Sequence, residues 1–225
     1  TDPNQLNWFS VVTEDILGLK TRSSFTANEI NLPPESSRII SIDYDLDSMI
    51  VNWEPNGDYD FKSYTIFYST NQFSGYSPLH QILENDQTRL ILNEFDPTIE
   101  NWFKVKTEDH WALFSEGAPT SNQIDPLPSA SEIQTLDYDL DSMRIVWNKC
   151  SDEDFLSYNL LQSFSENGEY NLIYASNYPS DTTYLLDEFD PTIENWFKVR
   201  TTDVWSQEVV GEAMVSVIDA FPTVP

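Results

Sequence analysis

NWFKVKTEDHW, residues 101–111, is the stretch that decides the fold. It returns as NWFKVRTTDVW at residues 195–205 and, in a weaker form, as NWFSVVTEDIL at residues 7–17. Trp8, Trp102 and Trp196 follow one another at intervals of 94 residues. A constant period of this length predicts tandem copies of a whole domain, because solenoid proteins repeat units of about 20–50 residues.

The period divides the chain into three parts. Residues 1–34 hold only the last part of a repeat, residues 35–126 form a first full repeat, and residues 127–225 form a second. Short linkers with proline lie at equivalent places, and proline keeps such joints stiff and extended. These linkers are Leu32-Pro33-Pro34, Pro126-Leu127-Pro128 and Ala220-Phe221-Pro222.

Each full repeat shows short strand patterns separated by turn signals. In the first repeat, residues 39–42, 49–53 and 64–68 read as strands, weaker ones lie near residues 79–83 and 88–92, and a last one lies near residues 116–123. Residues 43–48 read as a turn, and strong helix signals are absent. Regular short strands of this kind predict an all-β sandwich. With 40% hydrophobic and 14% aromatic residues, the chain is a packed globular protein and not a disordered acidic tail.

The charge balance excludes one class of partner. The 225 residues include 11 Lys and Arg against 38 Asp and Glu, a formal net charge of −27. Nucleic-acid binding needs basic residues, so we exclude it, and anionic membrane surfaces are disfavoured for the same reason. We also expect no membrane insertion, because no apolar run is long enough. The acidity permits divalent cations, basic partners or a saline environment. Cys150 is the only cysteine, so no disulfide forms within the chain.

This pattern resembles the fibronectin type III family, in the form of tandem extracellular or surface repeats of prokaryotic type. The resemblance rests on a tryptophan on strand B, on tyrosines on strand C and on the alternating pattern of strand F. They are Trp53 and Trp147; Tyr64, Tyr68 and Tyr158; and Phe103, Val105, Thr107, Phe197, Val199 and Thr201. The resemblance implies two sheets, A-B-E against C-C′-F-G, with Trp53 in the core.

One position departs from the family. A tyrosine usually braces the corner between strands E and F. Two residues before Phe103 this chain has Asn101, with Asn195 and Asn7 as equivalents. An asparagine amide can make a similar local hydrogen bond, so we expect the fold to hold, with Trp102 pointing outward or covering a sheet edge.

Alternating carboxylates suggest calcium, since hard oxygen ligands suit Ca²⁺. Residues 43–48 and residues 137–142 each carry three alternating aspartates. Ser48 and Ser142, however, stand where an EF-hand needs glycine. The family topology also places the AB and EF loops (Asp45, Asp47, Asp96) opposite the next domain's BC and FG loops (Asp152, Asp154, Asp203), where a cation would relieve repulsion. No cofactor is required, Ca²⁺ is the candidate, and a solvated acidic turn is the alternative. The candidate ligands are Asp43, Asp45, Asp47, Asp137, Asp139, Asp141, Asp152 and Asp154.

Tryptophans cluster on or near strand F and its following loop. Three roles are open to them. They could pack between the sheet edge, the linker and the neighbouring domain, they could contact another chain, or they could stack on a glycan. The five candidates are Trp8, Trp102, Trp111, Trp196 and Trp205. A row of solvent-facing rings favours binding, and rings buried at contacts favour assembly.

No residue pattern indicates catalysis. His80 and His110 have Tyr174 and Val204 as counterparts, so neither histidine belongs to a repeated site. We expect a non-catalytic structural or interaction segment of an extracellular or cell-surface protein, serving as a spacer, stalk or filament subunit. The alternative is an adhesin or a carbohydrate-binding accessory module of a secreted enzyme. Expected partners are other copies of the same or neighbouring repeat domains, or a protein or glycan.

The first 34 residues carry a prediction of their own. A two-stranded hairpin is marginal in water. The apolar face of this one, with Phe9 and Val11, needs partners from a preceding part of the same domain, from the next domain or from another chain.

Overall fold

The computed structural model describes residues 1–219 and contains no α-helix among them. Within that range there is accordingly no helix with the length and apolarity needed to cross a membrane. The chain forms two compact units, residues 1–124 and residues from 125 onwards. The predicted third linker, Ala220-Phe221-Pro222, lies outside the described residues.

The first unit begins with four short strands and continues with a complete sandwich. The short strands are β1 (Trp8–Phe9), β2 (Val12–Glu14), β3 (Lys20–Arg22) and β4 (Thr26–Ala27). The sandwich strands are β5 (Ile39–Tyr44), β6 (Met49–Trp53), β7 (Phe61–Ser69), β8 (Ser77–Ile82), β9 (Arg89–Leu92), β10 (Trp102–Asp109), β11 (Phe114–Glu116) and β12 (Thr120–Ser121).

The sandwich has one sheet in the order β5-β6-β9 and another in the order β11-β10-β7-β8, with β12 also paired to β10. These orders are A-B-E and G-F-C-C′, as the resemblance implied, so the predicted all-β sandwich is confirmed. Every pairing in the two sheets is antiparallel. Inward-facing side chains of both sheets meet in one core, where Trp53 packs edge-on against Tyr64 with ring centroids 5.7 Å apart.

The second unit repeats this arrangement. Its strands are β13 (Ile133–Tyr138), β14 (Met143–Trp147), β15 (Phe155–Ser163), β16 (Asn171–Ser176), β17 (Thr183–Leu186), β18 (Trp196–Asp203), β19 (Glu208–Val210) and β20 (Met214–Val215). The sheet orders are β13-β14-β17 and β16-β15-β18-β19, with β20 paired to β18. Trp147 and Tyr158 are buried in its core.

The predicted last strand of the first repeat, near residues 116–123, is two short strands instead, β11 and β12. The break falls at Gly117, and at Gly211 in the second repeat, where strand A approaches closely. A side chain at Gly117 would collide with the backbone carbonyl of Ser37, and one at Gly211 would lie 2.6 Å from the carbonyl oxygen of Ser131. The glycines therefore allow the first and last strands of each sandwich to meet.

The strands of residues 1–34 form two separate ribbons, β1 with β4 and β2 with β3. In the full repeat, Phe103 and Val105 on strand F are 0% exposed. Their counterparts in the ribbons, Phe9 and Val11, are 50% and 67% exposed. Residues 1–34 thus keep the strand pattern of the repeat without its core.

Candidate functional site

An asparagine at the start of strand F braces the chain segment just before it in all three copies. Asn101 donates from Nδ2 to the carbonyl oxygens of Asp96 (2.7 Å) and Ile99 (3.0 Å), and its Oδ1 accepts a hydrogen bond from the Tyr68 hydroxyl (3.0 Å). The side chain is almost fully buried. The predicted local bond in place of the family tyrosine is therefore present.

The equivalent asparagines make equivalent bonds. Asn195 donates to the carbonyl oxygens of Asp190 (2.8 Å) and Ile193 (3.1 Å), and its Oδ1 accepts from Nε2 of Gln162 (3.1 Å). Asn7 donates to the carbonyl oxygens of Asp2 (2.6 Å) and Gln5 (2.7 Å). The corner is thus a property of the repeat itself.

An aspartate at the end of strand F organises the turn that follows. Oδ1 of Asp203 accepts hydrogen bonds from the backbone N–H groups of Trp205 (2.9 Å) and Gln207 (2.8 Å). Asp109 binds its own turn in the same way. Within the turns Ala112 and Ser206 adopt positive φ angles of 64° and 69°, which are uncommon for residues with a side chain. The buried aspartate holds the loop in that shape.

Three carboxylates converge at this end of the second sandwich. Ligand atoms of Asp125, Asp154 and Asp203 all lie within 4.8 Å of one another, and residues 1–219 hold no other such group of three His, Cys, Asp or Glu side chains. Asp125 precedes the linker prolines, Asp154 lies in the loop before β15, and Asp203 ends β18. Nε2 of Gln207 donates to Asp125 Oδ2 (3.0 Å) and Asp203 Oδ2 (3.2 Å).

The electrostatics of this group disfavour three negative charges. Burial raises the pKa of Asp154, and the neighbouring charges of Asp125, Asp203 and Asp152 raise it further. A divalent cation would offset this repulsion, and carboxylate oxygens are the ligands that Ca²⁺ prefers. Among residues 1–219 this group fits the predicted metal best, and Ca²⁺ binding stays a prediction.

The first unit carries a weaker version of the group, at Asn31, Asp60 and Asp109. Here an amide replaces one carboxylate, and Nδ2 of Asn31 donates to Asp109 Oδ2 at 3.0 Å. The amide already supplies a donor to the buried carboxylate, so the need for a cation is smaller. We therefore expect weaker cation binding in the first unit than in the second.

The predicted metal ligands lie mostly outside this group. Asp45 binds the backbone N–H groups of Asp47 (2.9 Å) and Ser48 (2.8 Å) in its own turn, and those bonds hold its pKa below the usual value. Asp139 does the same with Asp141 and Ser142. Asp43 and Asp137 stand in strands, and Asp152 accepts from the backbone N–H of Ser129. Of the eight candidates, only Asp154 joins the convergent group.

Asp125 was not among the candidates. Its one sequence signal is its place just before the linker prolines, where the other two copies have Asn31 and Asp219.

The strand order decides the fold assignment. Both complete repeats have the fibronectin type III fold. No family model matches the sequence, and no curated protein is similar to it.

Many solved structures align with the chain, two of them as follows. The crystal structure of the chicken CNTN1 FN1-FN3 domains covers 95% of this chain and 78% of its own, with 11% identity and a TM-score of 0.35. The solution structure of the sixth domain of human fibronectin type III domain containing protein 3 covers 45% of this chain and 96% of its own, with 14% identity and a TM-score of 0.37. The fold assignment follows from the strand order and not from these alignments.

The five candidate tryptophans divide into two groups. Trp102 and Trp196 are half-buried, and their Nε1 atoms donate to the carboxylates of Glu100 (3.1 Å) and Glu194 (2.9 Å). Trp205 is also half-buried. Trp8 and Trp111 are more open, at 62% and 48% exposure. Of the five candidate tryptophans, Trp8 and Trp111 are therefore the exposed ones, and both lie in the first unit.

Sequence reasoning missed the outer face of strand F in the two full repeats. Lys104 pairs with Glu116 (2.6 Å) and lies over the rings of Phe67 and Tyr76, with its Nζ 5.4 and 4.8 Å from their centroids. Lys198, one period later, lies over Tyr170 at 4.4 Å. Each lysine places its ammonium group over an aromatic ring, which is a cation–π arrangement.

Two cavities in the first domain give no sign of an active site. One of about 150 Å³ is lined mainly by apolar side chains, among them Met49, Leu92 and Phe103. The other, about 310 Å³, is a shallow open depression over strand β8 beside His80. Typical ligand pockets are concave, hold about 300–1,000 Å³ and present convergent polar groups, and neither cavity has all three properties.

Proposed function

We propose that this chain is a non-catalytic structural and interaction segment of an extracellular repeat protein, serving as a spacer, stalk or filament subunit. The observation that supports this most strongly is the repeated construction of the sandwiches. The same core tryptophan, the same asparagine corner and the same glycine contact occur in both full repeats.

The mechanism is mechanical. Linkers enter each sandwich just before strand A and leave it after strand G, so tension between the linkers is applied across the contact of these two strands. In the first domain Gly117 meets Ser37 at this contact, and Thr107 on the neighbouring strand F donates a hydrogen bond from Oγ1 to Ser37 Oγ (3.2 Å). Long-range backbone pairing then resists separation, and each sandwich bears load as one cooperative unit.

The extracellular setting is supported by composition. A net charge of −27 maintains solubility in salt, where surface repulsion is screened. The test is surface labelling of intact cells that make the parent protein, with a membrane-impermeant amine reagent and peptide mapping. Modification of Lys149 in intact cells is the expected result. Labelling of this lysine only after lysis would contradict the extracellular assignment.

The second candidate is an adhesin or carbohydrate-binding accessory module, and the exposed Trp8 and Trp111 rings favour it. Aromatic rings of this kind can stack on sugars. A glycan array probed with the wild-type chain and with Trp111→Ala tests this function. Binding that is lost in Trp111→Ala and kept in Trp205→Ala would favour the adhesin over the spacer.

A further inference from the structure

The open side of residues 1–34 has a defined counterpart in the full repeats. Strand β10 pairs with β7 on one side and with β11 and β12 on the other. Strands β1 and β2 keep only the second kind of partner, β4 and β3. Among residues 1–219, their strand-C edge has no pairing. An unpaired edge is a template for adding a strand.

The apolar face beside this edge is the same face that is covered in the full repeats. Phe103 is opposite Tyr68 in the register and packs in the core with Trp53. Phe9 and Val11 are the counterparts of Phe103 and Val105, and both are exposed. Both full repeats show that strands A to E are what covers such a face.

Two polar side chains of residues 1–34, Asn7 and Glu14, also lack the strand-C partner that their counterparts have in the full repeats. Oδ1 of Asn101 accepts from Tyr68 and Oδ1 of Asn195 from Gln162, and both donors lie on strand C. No donor to Asn7 Oδ1 occurs within the described part of the chain. Likewise Glu108 pairs with Lys62 of strand C (2.5 Å). Its counterpart Glu14 is solvent-exposed, where Lys20 approaches it at 3.1 Å.

We propose that the open face of residues 1–34 is a docking site for the A-to-E half of a fibronectin type III-like repeat. The occupant adds its strand C to β1 and β2 in antiparallel register, with Phe9 opposite a Tyr68-type residue and Val11 opposite an Ile66-type residue. Its strand-B tryptophan covers Phe9, and a strand-C lysine equivalent to Lys62 pairs with Glu14. The proposal does not depend on the proposed function, since a binding module would use the same contact.

One residue sets a limit on the fit. Ser23 stands where the full repeats have Gly117 and Gly211, the positions that admit strand A. Its Oγ accepts a hydrogen bond from the backbone N–H of Val11 at 3.0 Å. The segment just before strand A of the occupant therefore lies further from this strand than Ser37 lies from Gly117.

The test uses the chain's own repeat as the occupant. Because Thr1 is equivalent to Phe95, a second copy of residues 35–94 placed before Thr1 completes one hybrid repeat in the natural register. A second graft uses residues 129–188, whose strand C has Leu156 in place of Lys62. Amide exchange of residues 8–14 is then compared between each graft and the parent chain.

We expect exchange of these amides to slow by about 1,000-fold or more in the first graft, because strands inside a stable domain exchange only on opening. Val11→Asp in the same graft should return exchange to the rate of the parent. Weaker protection in the second graft supports the role of the lysine, and equal protection removes that role.

Ser23→Gly is a further variant of the first graft, for the case in which the grafted residues do not form a sandwich with residues 1–34. It supplies the glycine that the full repeats use at this contact. Fast exchange of residues 8–14 in both grafts and in the Ser23→Gly graft would overturn the proposal, as would protection that survives Val11→Asp.

Discussion

Asn101→Ala is the substitution whose effect can be worked out most fully from the structure. It removes the Nδ2 donor from the carbonyls of Asp96 and Ile99 and the Oδ1 acceptor from the Tyr68 hydroxyl. Only 3% of Asn101 is exposed, so water has little access to the groups left behind. Leaving a buried polar group without a partner costs about 1–3 kcal/mol. With partial relaxation we expect the first domain to lose about 2–4 kcal/mol of unfolding free energy.

The assay is urea unfolding read by amide-exchange mass spectrometry, with peptides from β10 and β18 reporting the two domains separately. With a urea m-value of about 1 kcal/mol per M for a domain of this size, the midpoint of the first domain should fall by roughly 2 M or more. The second domain should not change. Asn195→Ala, which breaks the bonds to Asp190 and Ile193, should reverse the pattern.

Two controls separate the parts of this effect. Tyr68→Phe removes only the donor to Oδ1 and should cost the first domain about 1 kcal/mol. Asn7→Ala breaks equivalent bonds in residues 1–34 and should leave both full domains unchanged. A loss below about 1 kcal/mol in Asn101→Ala would refute the view that this asparagine replaces the family tyrosine as the corner brace.

Three further substitutions or additions test other parts of the structure. Gly117→Ala should destabilise the first domain by about 2 kcal/mol or more, because its methyl group meets the Ser37 carbonyl. Gly57→Ala, with open space around it, should cost little in the same urea assay. Asp154→Asn should raise the melting temperature of the second domain at pH 7 in chelator, because the raised pKa of Asp154 makes its charge destabilising above that pKa. The gain should disappear as pH falls below the ordinary value of 3.8, and Asp187→Asn is the control with an equal charge change at an exposed site. Added Ca²⁺ should raise the melting temperature of the second domain in the wild type and much less in Asp154→Asn, and a wild-type melt unchanged by chelator and by Ca²⁺ would end the calcium prediction.

The fold was predictable because its determinants are local and repeated. The spacing of Trp8, Trp102 and Trp196 defines the copies, and the alternation around Phe103 and Val105 defines a half-buried strand. The asparagine corner was predictable for the same reason, since its acceptors lie two and five residues before Asn101. Bonds over such short separations depend little on the rest of the fold.

The convergent carboxylates were harder to predict. Asp125, Asp154 and Asp203 come from a linker, a loop and a strand end, and only the folded sandwich brings them together. The run of residues 43–48 was a stronger signal in the sequence. In the structure, however, Asp45 uses its carboxylate to bind the backbone of its own turn. Alternating aspartates in a tight turn satisfy the backbone first, which the spacing alone does not reveal.

The bounds of the last strand show a similar limit. One strand was predicted near residues 116–123, but the chain breaks it at Gly117, where the carbonyl of Ser37 approaches. That approach joins residues from opposite ends of the domain. A pattern within one segment contains no information about such a contact.

The central claim is that the two full repeats are separate load-bearing sandwiches. Pulling the chain by its ends in a force spectrometer tests it most directly. We predict two discrete unfolding events, each releasing roughly 300 Å of chain, since each repeat has about 90 residues at up to about 3.5 Å per residue. Gly117→Ala should lower the force of one event and leave the other unchanged. A single event of twice the length, or a gradual extension without discrete events, would contradict the account.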